Sequence, residues 1–294
     1  MRGFYRLTLL YRAIRTKILL RRALRAVARY PQVRSKTPHG LGARVVITLT
    51  SYPARFNHLS KTLRSLLDQT TAPDDVQLWI AEEDMAALPA EVGALAKAGL
   101  SIRPCRDLKS YKKLVPALER DAAAIHITAD DDVYYPPDWL GRFVDAARDH
   151  PSTVIAMRSH MASRKSDGTL APYAEWELAA DRLVPEEPRE ALFPTGVGGV
   201  LYPPGCFDPR VLDEDTFMEL CPRGDDIWLF WMARLAGTRH RRAPGWFDIV
   251  EWPGSQSVAL YAANLHDQGN DRQIRAMEKR FGPLPEVSLS QEAL

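Results

Sequence analysis

The sequence contains few cysteines, no long apolar run and no excess of glycine or proline, and each of these features argues against a class of protein. The three cysteines, Cys105, Cys206 and Cys221, lie far apart and form no CxxC pair. They argue against a zinc site and a disulfide scaffold, and they are typical of a reducing compartment. No window holds 18 uncharged apolar residues, so no transmembrane helix is predicted. With 17 Gly and 22 Pro in 294 residues, the composition is that of a globular chain.

The first 36 residues lack acidic side chains altogether. They hold 11 Lys and Arg, whereas the rest of the chain has 28 basic and 37 acidic residues. A basic segment on an acidic body argues against a nucleic-acid-binding body, and it indicates that the segment meets an anionic partner. We therefore expect two parts, a basic arm over residues 1–36 and one globular domain over residues 37–294.

The basic arm has the pattern of a helix. Residues 4–29 contain neither Pro nor Gly, and Pro31 is expected to end the helix. Its apolar residues form two stripes on roughly opposite sides: Phe4, Leu7, Tyr11, Ile14 and Ile18 on one, and Leu20, Leu24 and Val27 on the other. We expect the arm to lie on the anionic inner face of the cell membrane, with the protein cytoplasmic and peripheral. A helix docked on the acidic body and a transit peptide remain as alternatives.

Strand and helix patterns alternate from residue 44 onward. Strands are predicted at 45–50, 76–81, 100–102, 124–128, 154–157 and 200–202, and helices at 57–67 (capped by Asn57), 91–98, 114–121, 139–147, 225–236 and 271–281. This alternation is typical of an α/β fold with a mostly parallel sheet flanked by helices. Ligands of such sheets bind at the carboxyl ends of the strands. Three strands end in polar or acidic residues, which indicates a site at 50–52, 82–84 and 130–132.

The acidic triplet Asp130-Asp131-Asp132 directly follows an apolar strand. If strand alternation continues, Asp130 and Asp132 share one side. Two such carboxylates repel each other unless a cation lies between them, and Mg²⁺ or Mn²⁺ prefers oxygen ligands completed by substrate phosphates. The alternative, an acidic cluster at a helix N-terminus, fits Asp138 better, because residues 133–137 separate the triplet from the next helix.

Two further segments carry candidate site residues. Asp225 and Asp226 open an aromatic helix, where one carboxylate can serve as a general base, although Asp at a helix start is also ordinary capping. Residues 193–200 form a glycine-rich turn that enters a strand, and glycine allows the backbone to approach a ligand closely. The alternative for this turn is a flexible loop.

Taken in order, these segments resemble the glycosyltransferase family 2-like group, which has the A-type glycosyltransferase fold. The similar segments are the first strand with its nucleotide loop, the SLLxQT helix, the acidic end of the second strand, a lysine segment, the DxD metal motif and an acidic pair, at residues 46–55, 63–70, 78–83, 109–114, 128–132 and 225–228. Each segment alone has low specificity, and the ordered set spans residues 44–275. The resemblance is closest to bacterial enzymes that build surface polysaccharides.

The resemblance implies an inverting, metal-dependent enzyme that moves a sugar from a nucleotide-sugar donor to a glycan or lipid-linked acceptor. It implies Asp226 as the catalytic base beside Asp225, and a Mn²⁺ or Mg²⁺ ion held by Asp132 and Asp130, with His266 as a further ligand. The alternative for His266 is a structural role. The implied nucleotide-sugar site is lined by Thr50, Tyr52, Arg55, Glu82, Lys113, Asp130, Asp131, Gly198 and Gly199. The glycosyltransferase domain would then be residues 37–294.

The sequence departs from the family pattern in two places. The acidic pair is Asp-Asp where the family has Glu-Asp, and the second strand ends in Glu82 where the family has Asp. These departures leave open which carboxylate is the base and how the nucleobase is recognised. Three alternatives also stay open: a metal-dependent nucleotidyltransferase or phosphohydrolase, a non-catalytic nucleotide- or glycan-binding module, and a retaining transferase.

Overall fold

The structure of the chain is a computed structural model that describes residues 2–177, 192–245, 248–255 and 269–284. Within these ranges the three cysteines are free. Among the described helices, none combines the length and the apolar character that crossing a bilayer requires.

The described chain contains eleven strands and eight α-helices. The strands are β1 (Thr37–Pro38), β2 (Val45–Thr50), β3 (Thr71–Ala72), β4 (Asp75–Ala81), β5 (Leu100–Cys105), β6 (Ile125–Thr128), β7 (Val154–Ala156), β8 (Ser159–Met161), β9 (Leu192–Pro194), β10 (Val200–Tyr202) and β11 (His240–Arg242). The helices are α1 (Arg2–Ala28), α2 (Phe56–Leu67), α3 (Ala90–Ala94), α4 (Val115–Arg120), α5 (Trp139–Asp149), α6 (Glu214–Leu220), α7 (Asp225–Leu235) and α8 (Gly269–Phe281). Short 3₁₀ helices include Pro53–Arg55, Glu82–Ala87, Leu95–Ala98 and Lys109–Lys113.

Seven strands form the central sheet in the order β11-β7-β10-β6-β2-β4-β5. Strands β6, β2, β4 and β5 are parallel to one another, and β11 is parallel to β7. Strand β10 runs antiparallel to both β6 and β7. The expected α/β fold with a mostly parallel sheet is therefore confirmed. Because β10 is antiparallel, its first residue lies at the same edge of the sheet as the carboxyl ends of β6, β2 and β4.

Packing on the two faces of the sheet explains why these segments form strands. Strand β2 is a run of β-branched and leucine side chains that are almost wholly buried, as is typical of a central strand covered on both faces. One core packs β2 and β4 against α2 and α5, and a second core surrounds the aromatic helix α7. Helix α2 presents Leu59, Leu63 and Leu66 to the first core at helical spacing.

Most predicted elements lie where the sequence places them, with local corrections. Helix α2 begins at Phe56 after a 3₁₀ turn and its N-cap is Arg55, so the expected cap at Asn57 is wrong. Likewise Gly224, and not an aspartate, is the N-cap of α7. Strand β5 extends to Cys105, three residues beyond its predicted end. The sequence interpretation missed helix α6 and five short strands, β1, β3, β8, β9 and β11.

Helix α1 packs on the body through the second of its two apolar stripes. Ala23 and Val27 are buried against Val250 and Trp252. The chain after the helix is also hydrogen-bonded to the body. The backbone N–H groups of Gln32 and Val33 donate to the Asp68 carboxylate at 3.0 and 2.9 Å. Residues 19–33 are thus in close contact with the rest of the structure, as the alternative of a docked helix predicted.

Candidate functional site

The carboxyl ends of three adjacent parallel strands bring the candidate residues to one edge of the sheet. Strand β2 ends at Thr50, β4 at Ala81 before Glu82, and β6 at Thr128 before the acidic triplet. The 3₁₀ helix that contains Lys113 joins the same edge, since the Thr48 hydroxyl donates to the Lys113 carbonyl oxygen at 2.7 Å.

Asp131 and Asp132 share a single guanidinium. Arg55 Nη1 lies 2.8 Å from Asp131 Oδ1 and 3.0 Å from Asp132 Oδ2. The second Asp131 oxygen accepts from the Ser51 hydroxyl at 2.6 Å. Because both of its oxygens bond to the β2–α2 loop, Asp131 links the triplet to the loop that the sequence assigns to the nucleotide.

Asp130 points to a different neighbour. Its Oδ2 accepts from the Gly198 N–H at 3.3 Å, and its own N–H donates to the Tyr135 hydroxyl at 2.7 Å. The expectation that strand alternation puts Asp130 and Asp132 on one side, away from Asp131, is wrong. Strand β6 ends at Thr128, so the triplet lies in a bend where alternation no longer applies.

The triplet is electrostatically crowded. Burial raises the pKa of Asp130 to about 7, against the lowering effect of Lys113 and with repulsion from Asp132. Burial likewise raises the pKa of Asp132 to about 6, although Arg55 lowers it, and Asp131 and Glu251 add repulsion. Burial alone would lower the pKa of Arg55, but the attraction of Asp131 and Asp132 outweighs it and the net shift is upward.

A second cluster forms around Lys113. Its Nζ lies 2.6 Å from Asp225 Oδ2 and 3.7 Å from Asp226 Oδ1. Burial alone would lower the pKa of Lys113, but Asp225, Asp226 and Asp130 outweigh burial and raise it well above its ordinary value. Asp225 is thus the close partner of the lysine, and the Asp226 side chain stays 31% exposed.

The glycine-rich turn joins the two clusters. Gly196 N–H donates to Asp226 Oδ2 at 2.9 Å, and two residues later Gly198 N–H donates to Asp130 Oδ2. At Gly199, where φ is +105°, a Cβ would lie 2.7 Å from a Trp139 ring carbon and 2.8 Å from the Thr128 carbonyl oxygen. Glycine is required there, and the turn is fixed by packing. This packing favours an ordered turn over the alternative of a flexible loop.

The remaining residues assigned to the nucleotide line the same edge. The Thr50 hydroxyl donates to the Trp79 carbonyl oxygen at 2.7 Å, so its proton is used inside the sheet. Tyr52 is half-buried, with the Arg55 guanidinium 5.8 Å from its ring centroid. Glu82 is exposed at the start of its 3₁₀ helix. These three positions stay predictions for nucleotide contact.

The structure adds one segment that the sequence interpretation did not assign to the site. Residues 250–252 pair with the triplet, because Trp252 N–H donates to the Asp132 carbonyl oxygen at 3.0 Å and Tyr134 N–H donates to the Val250 carbonyl oxygen at 2.9 Å. Glu251 is thereby brought near Asp132, and burial raises the pKa of Glu251. No motif marks this segment, since the pairing joins residues more than one hundred positions apart.

The triplet fits a divalent cation in charge and in ligand type. Among the described residues, five carboxylates at positions 130–132 and 225–226 face two cations, Arg55 and Lys113, so the cluster has an excess of negative charge. No group of three or more His, Cys, Asp or Glu in the described part of the chain is arranged to hold a metal by itself. An ion bound at Asp130 and Asp132 would therefore need substrate phosphates to complete its shell. His266 lies outside the described residues.

No protein-family model and no curated protein matches the sequence. Among solved structures, the chain is similar to S. aureus TarS 1–349 (14% identity, TM-score 0.44, covering 68% of this chain and 57% of that one). It is also similar to GalNAc-T7 with UDP, GalNAc and Mn²⁺ (11%, 0.45, 84% and 59%). A third similar structure is CMP:2-keto-3-deoxy-manno-octonic acid synthetase complexed with CTP (16%, 0.41, 77% and 99%).

The chain spans under two thirds of the TarS fragment and of GalNAc-T7. At such identities and TM-scores the likenesses carry no weight for the activity of this chain, which has to be inferred from its own site.

Proposed function

We propose that the chain is a glycosyltransferase that moves a sugar from a nucleotide-sugar donor to an acceptor hydroxyl with inversion. One observation carries the proposal: Asp130 and Asp226, from separate elements, accept hydrogen bonds from two N–H groups of one glycine turn. The turn therefore lies between Asp130, a carboxylate that can bind a cation, and Asp226, a carboxylate that is partly exposed. This arrangement suits a reaction with a diphosphate leaving on one side and a hydroxyl attacking on the other.

Asp226 is the base in this proposal, and Asp225 positions Lys113. Burial and the neighbouring Asp225 raise the pKa of Asp226 above its ordinary value, which improves a carboxylate as a proton acceptor near neutral pH. Asp225 is instead buried and lies 2.6 Å from the ammonium of Lys113. Because Asp225 is occupied by Lys113, the second member of the Asp-Asp pair, Asp226, is the one that can act as the base.

The proposed reaction is a single displacement at the anomeric carbon. Asp226 takes the proton of the acceptor hydroxyl, whose oxygen forms a bond to the anomeric carbon as the bond to the diphosphate oxygen breaks. Lys113 stabilises negative charge nearby, and the donor leaves as a nucleoside diphosphate. Bound at Asp130 and Asp132, Mn²⁺ or Mg²⁺ would supply positive charge toward the diphosphate.

The finer assignments rest on the sequence. The resemblance implies a glycan or lipid-linked acceptor, a role in cell-surface polysaccharide biosynthesis, and donor contacts from Thr50, Tyr52, Arg55 and Glu82. The basic arm over residues 1–36 is the basis for a cytoplasmic location on the inner face of the membrane. The exposed position of Glu82 at the carboxyl end of β4 supports a nucleobase contact there.

Product analysis tests the activity. The chain is incubated with nucleotide sugars in the presence of Mn²⁺, and nucleoside diphosphate, pyrophosphate and phosphate are measured separately. We expect nucleoside diphosphate that depends on donor, metal and acceptor. Release of pyrophosphate or phosphate instead would favour the nucleotidyltransferase or phosphohydrolase alternative, and nucleotide binding without any product would favour a binding module.

A further inference from the structure

Helix α1 has an outer side that the body leaves uncovered. Tyr11, Ile14 and Ile18 are 67%, 49% and 45% exposed. Among the side chains whose exposure the structure describes, which leaves out residues 1–10, 12 and 13, the one other exposed large hydrophobic side chain is Leu212. Three of four such side chains thus lie within about two turns of one helix, a span of roughly 10 Å.

The exposed stripe lies opposite the side that docks. At about 100° per residue, Tyr11, Ile14 and Ile18 point roughly away from Ala23 and Val27, which are buried against the body. The orientation of the helix is also held by a bidentate ion pair in which two Arg15 nitrogens each lie 2.7 Å from an Asp248 oxygen. The body therefore fixes which side of α1 meets the surroundings.

The same outer side carries positive charge next to the apolar stripe. Lys17, Arg21, Arg22 and Arg25 are exposed, and residues 1–36 contain no acidic side chain. An apolar patch beside a basic one fits a surface with negative headgroups over an apolar layer. Nucleic acid would match the charge but not the apolar patch. The acidic balance of the rest of the chain also argues against nucleic acid.

We propose that the outer side of α1, formed by Tyr11, Ile14, Ile18, Arg21, Arg22 and Arg25, binds the surface of an anionic lipid bilayer. The inner side of the same helix packs on Val250 and Trp252, and Trp252 N–H bonds to the Asp132 carbonyl oxygen. Membrane binding would thus place the acidic triplet at a fixed position relative to the lipid surface.

Vesicle co-sedimentation of the full chain tests the proposal. The vesicles are phosphatidylcholine alone, or phosphatidylcholine with about one third phosphatidylglycerol. We expect binding to the anionic vesicles only, and weaker binding as salt is raised. Arg21→Glu with Arg22→Glu should weaken binding at least about 30-fold, since each basic residue contributes about a fivefold affinity gain. Ile14→Ser with Ile18→Ser should weaken it about tenfold or more.

Matched controls separate the helix face from bulk charge and hydrophobicity. Arg272→Glu with Arg275→Glu makes the same charge change on exposed residues of α8, and Leu212→Ser removes an exposed apolar side chain elsewhere. Both should bind like the unmodified chain, and all variants should keep its unfolding midpoint. Equal binding to neutral vesicles, no binding to anionic ones, capture of duplex DNA in their place, or equal losses in the controls would overturn the proposal. Vesicle binding requires no donor, so its failure is distinct from failure of the proposed activity.

Discussion

A single methyl group at Gly196 tests whether Lys113 and Asp226 form the centre of the site. A Cβ there would lie 2.8 Å from Lys113 Nζ and 3.0 Å from Asp226 Oδ1. Non-bonded contacts of this kind are comfortable near 3.5 Å, so each group must retreat by roughly 0.5 to 0.7 Å. Both atoms end side chains that can move, and the φ angle of Gly196 is outside the positive range. Gly196→Ala should therefore spare the fold and displace the base.

The expected effect is large on turnover and small on stability. Misplacing a catalytic group by about 1 Å can cost about 10²-fold in rate, so kcat should fall by about 10- to 100-fold. The free energy of unfolding should change by less than about 1 kcal/mol. Steady-state release of nucleoside diphosphate gives kcat, and urea denaturation gives the stability.

Two other glycines provide the controls. At Gly42 a Cβ would meet no heavy atom within 4 Å, so Gly42→Ala should leave both quantities unchanged. At Gly199 a Cβ would collide with the Thr128 backbone at φ +105°, so Gly199→Ala should destabilise the fold by about 2–4 kcal/mol. Full activity in Gly196→Ala would refute the placement of Asp226 and Lys113 at the reacting atoms. A loss fully explained by unfolding would refute the expectation that the two side chains move and spare the fold.

Two further predictions concern stability. Burial and Asp225 raise the pKa of Asp226 in the folded state, so stability is greatest below the unfolded pKa and is lost as pH rises through the folded one. Asp226→Asn removes this pH-dependent loss of stability. In the presence of a chelator the variant should melt about 2–4 °C higher than the unmodified chain at pH 8, and the difference should vanish near pH 4. A difference independent of pH would show that the raised pKa of Asp226 is not its cause. Deleting residues 2–18 should change the free energy of unfolding by about 1 kcal/mol or less, because the one described ion pair lost is partly exposed. Deleting 2–36 should cost about 3–5 kcal/mol, because it removes buried Ala23 and Val27 and the two donors to Asp68; equal melting of the two deletions would show that the docked half of α1 contributes nothing.

The sequence predicts the central strands β2 and β4 well because the residue pattern within each segment is itself typical of a strand. Strands β2 and β4 are short runs rich in β-branched and apolar residues, as is typical of strands buried on both faces. Strand β11 was missed because its sequence is His-Arg-Arg, three polar residues that all become buried beside β7. A polar segment has no local apolar pattern that predicts a strand when its burial depends on partners far away in the chain.

The sequence alone predicts which residues belong to the candidate site, but it does not predict which of them contact each other. The strand ends mark the acidic triplet, but the pairing of Arg55 with Asp131 and Asp132 joins positions more than seventy residues apart. The local rule failed within the triplet itself, because β6 ends before it begins. Similarly, the sequence shows two apolar stripes on α1, and only the packing with Val250 and Trp252 shows which of them docks.

Comparing turnover with donor binding in Asp226→Asn tests whether Asp226 is the base. Nucleotide-sugar affinity is measured by thermal shift with Mn²⁺, and kcat by release of nucleoside diphosphate. We expect kcat to fall by about 10²- to 10⁴-fold while donor affinity changes less than about threefold. Turnover preserved, with donor binding lost, would contradict this expectation and assign Asp226 to donor recognition.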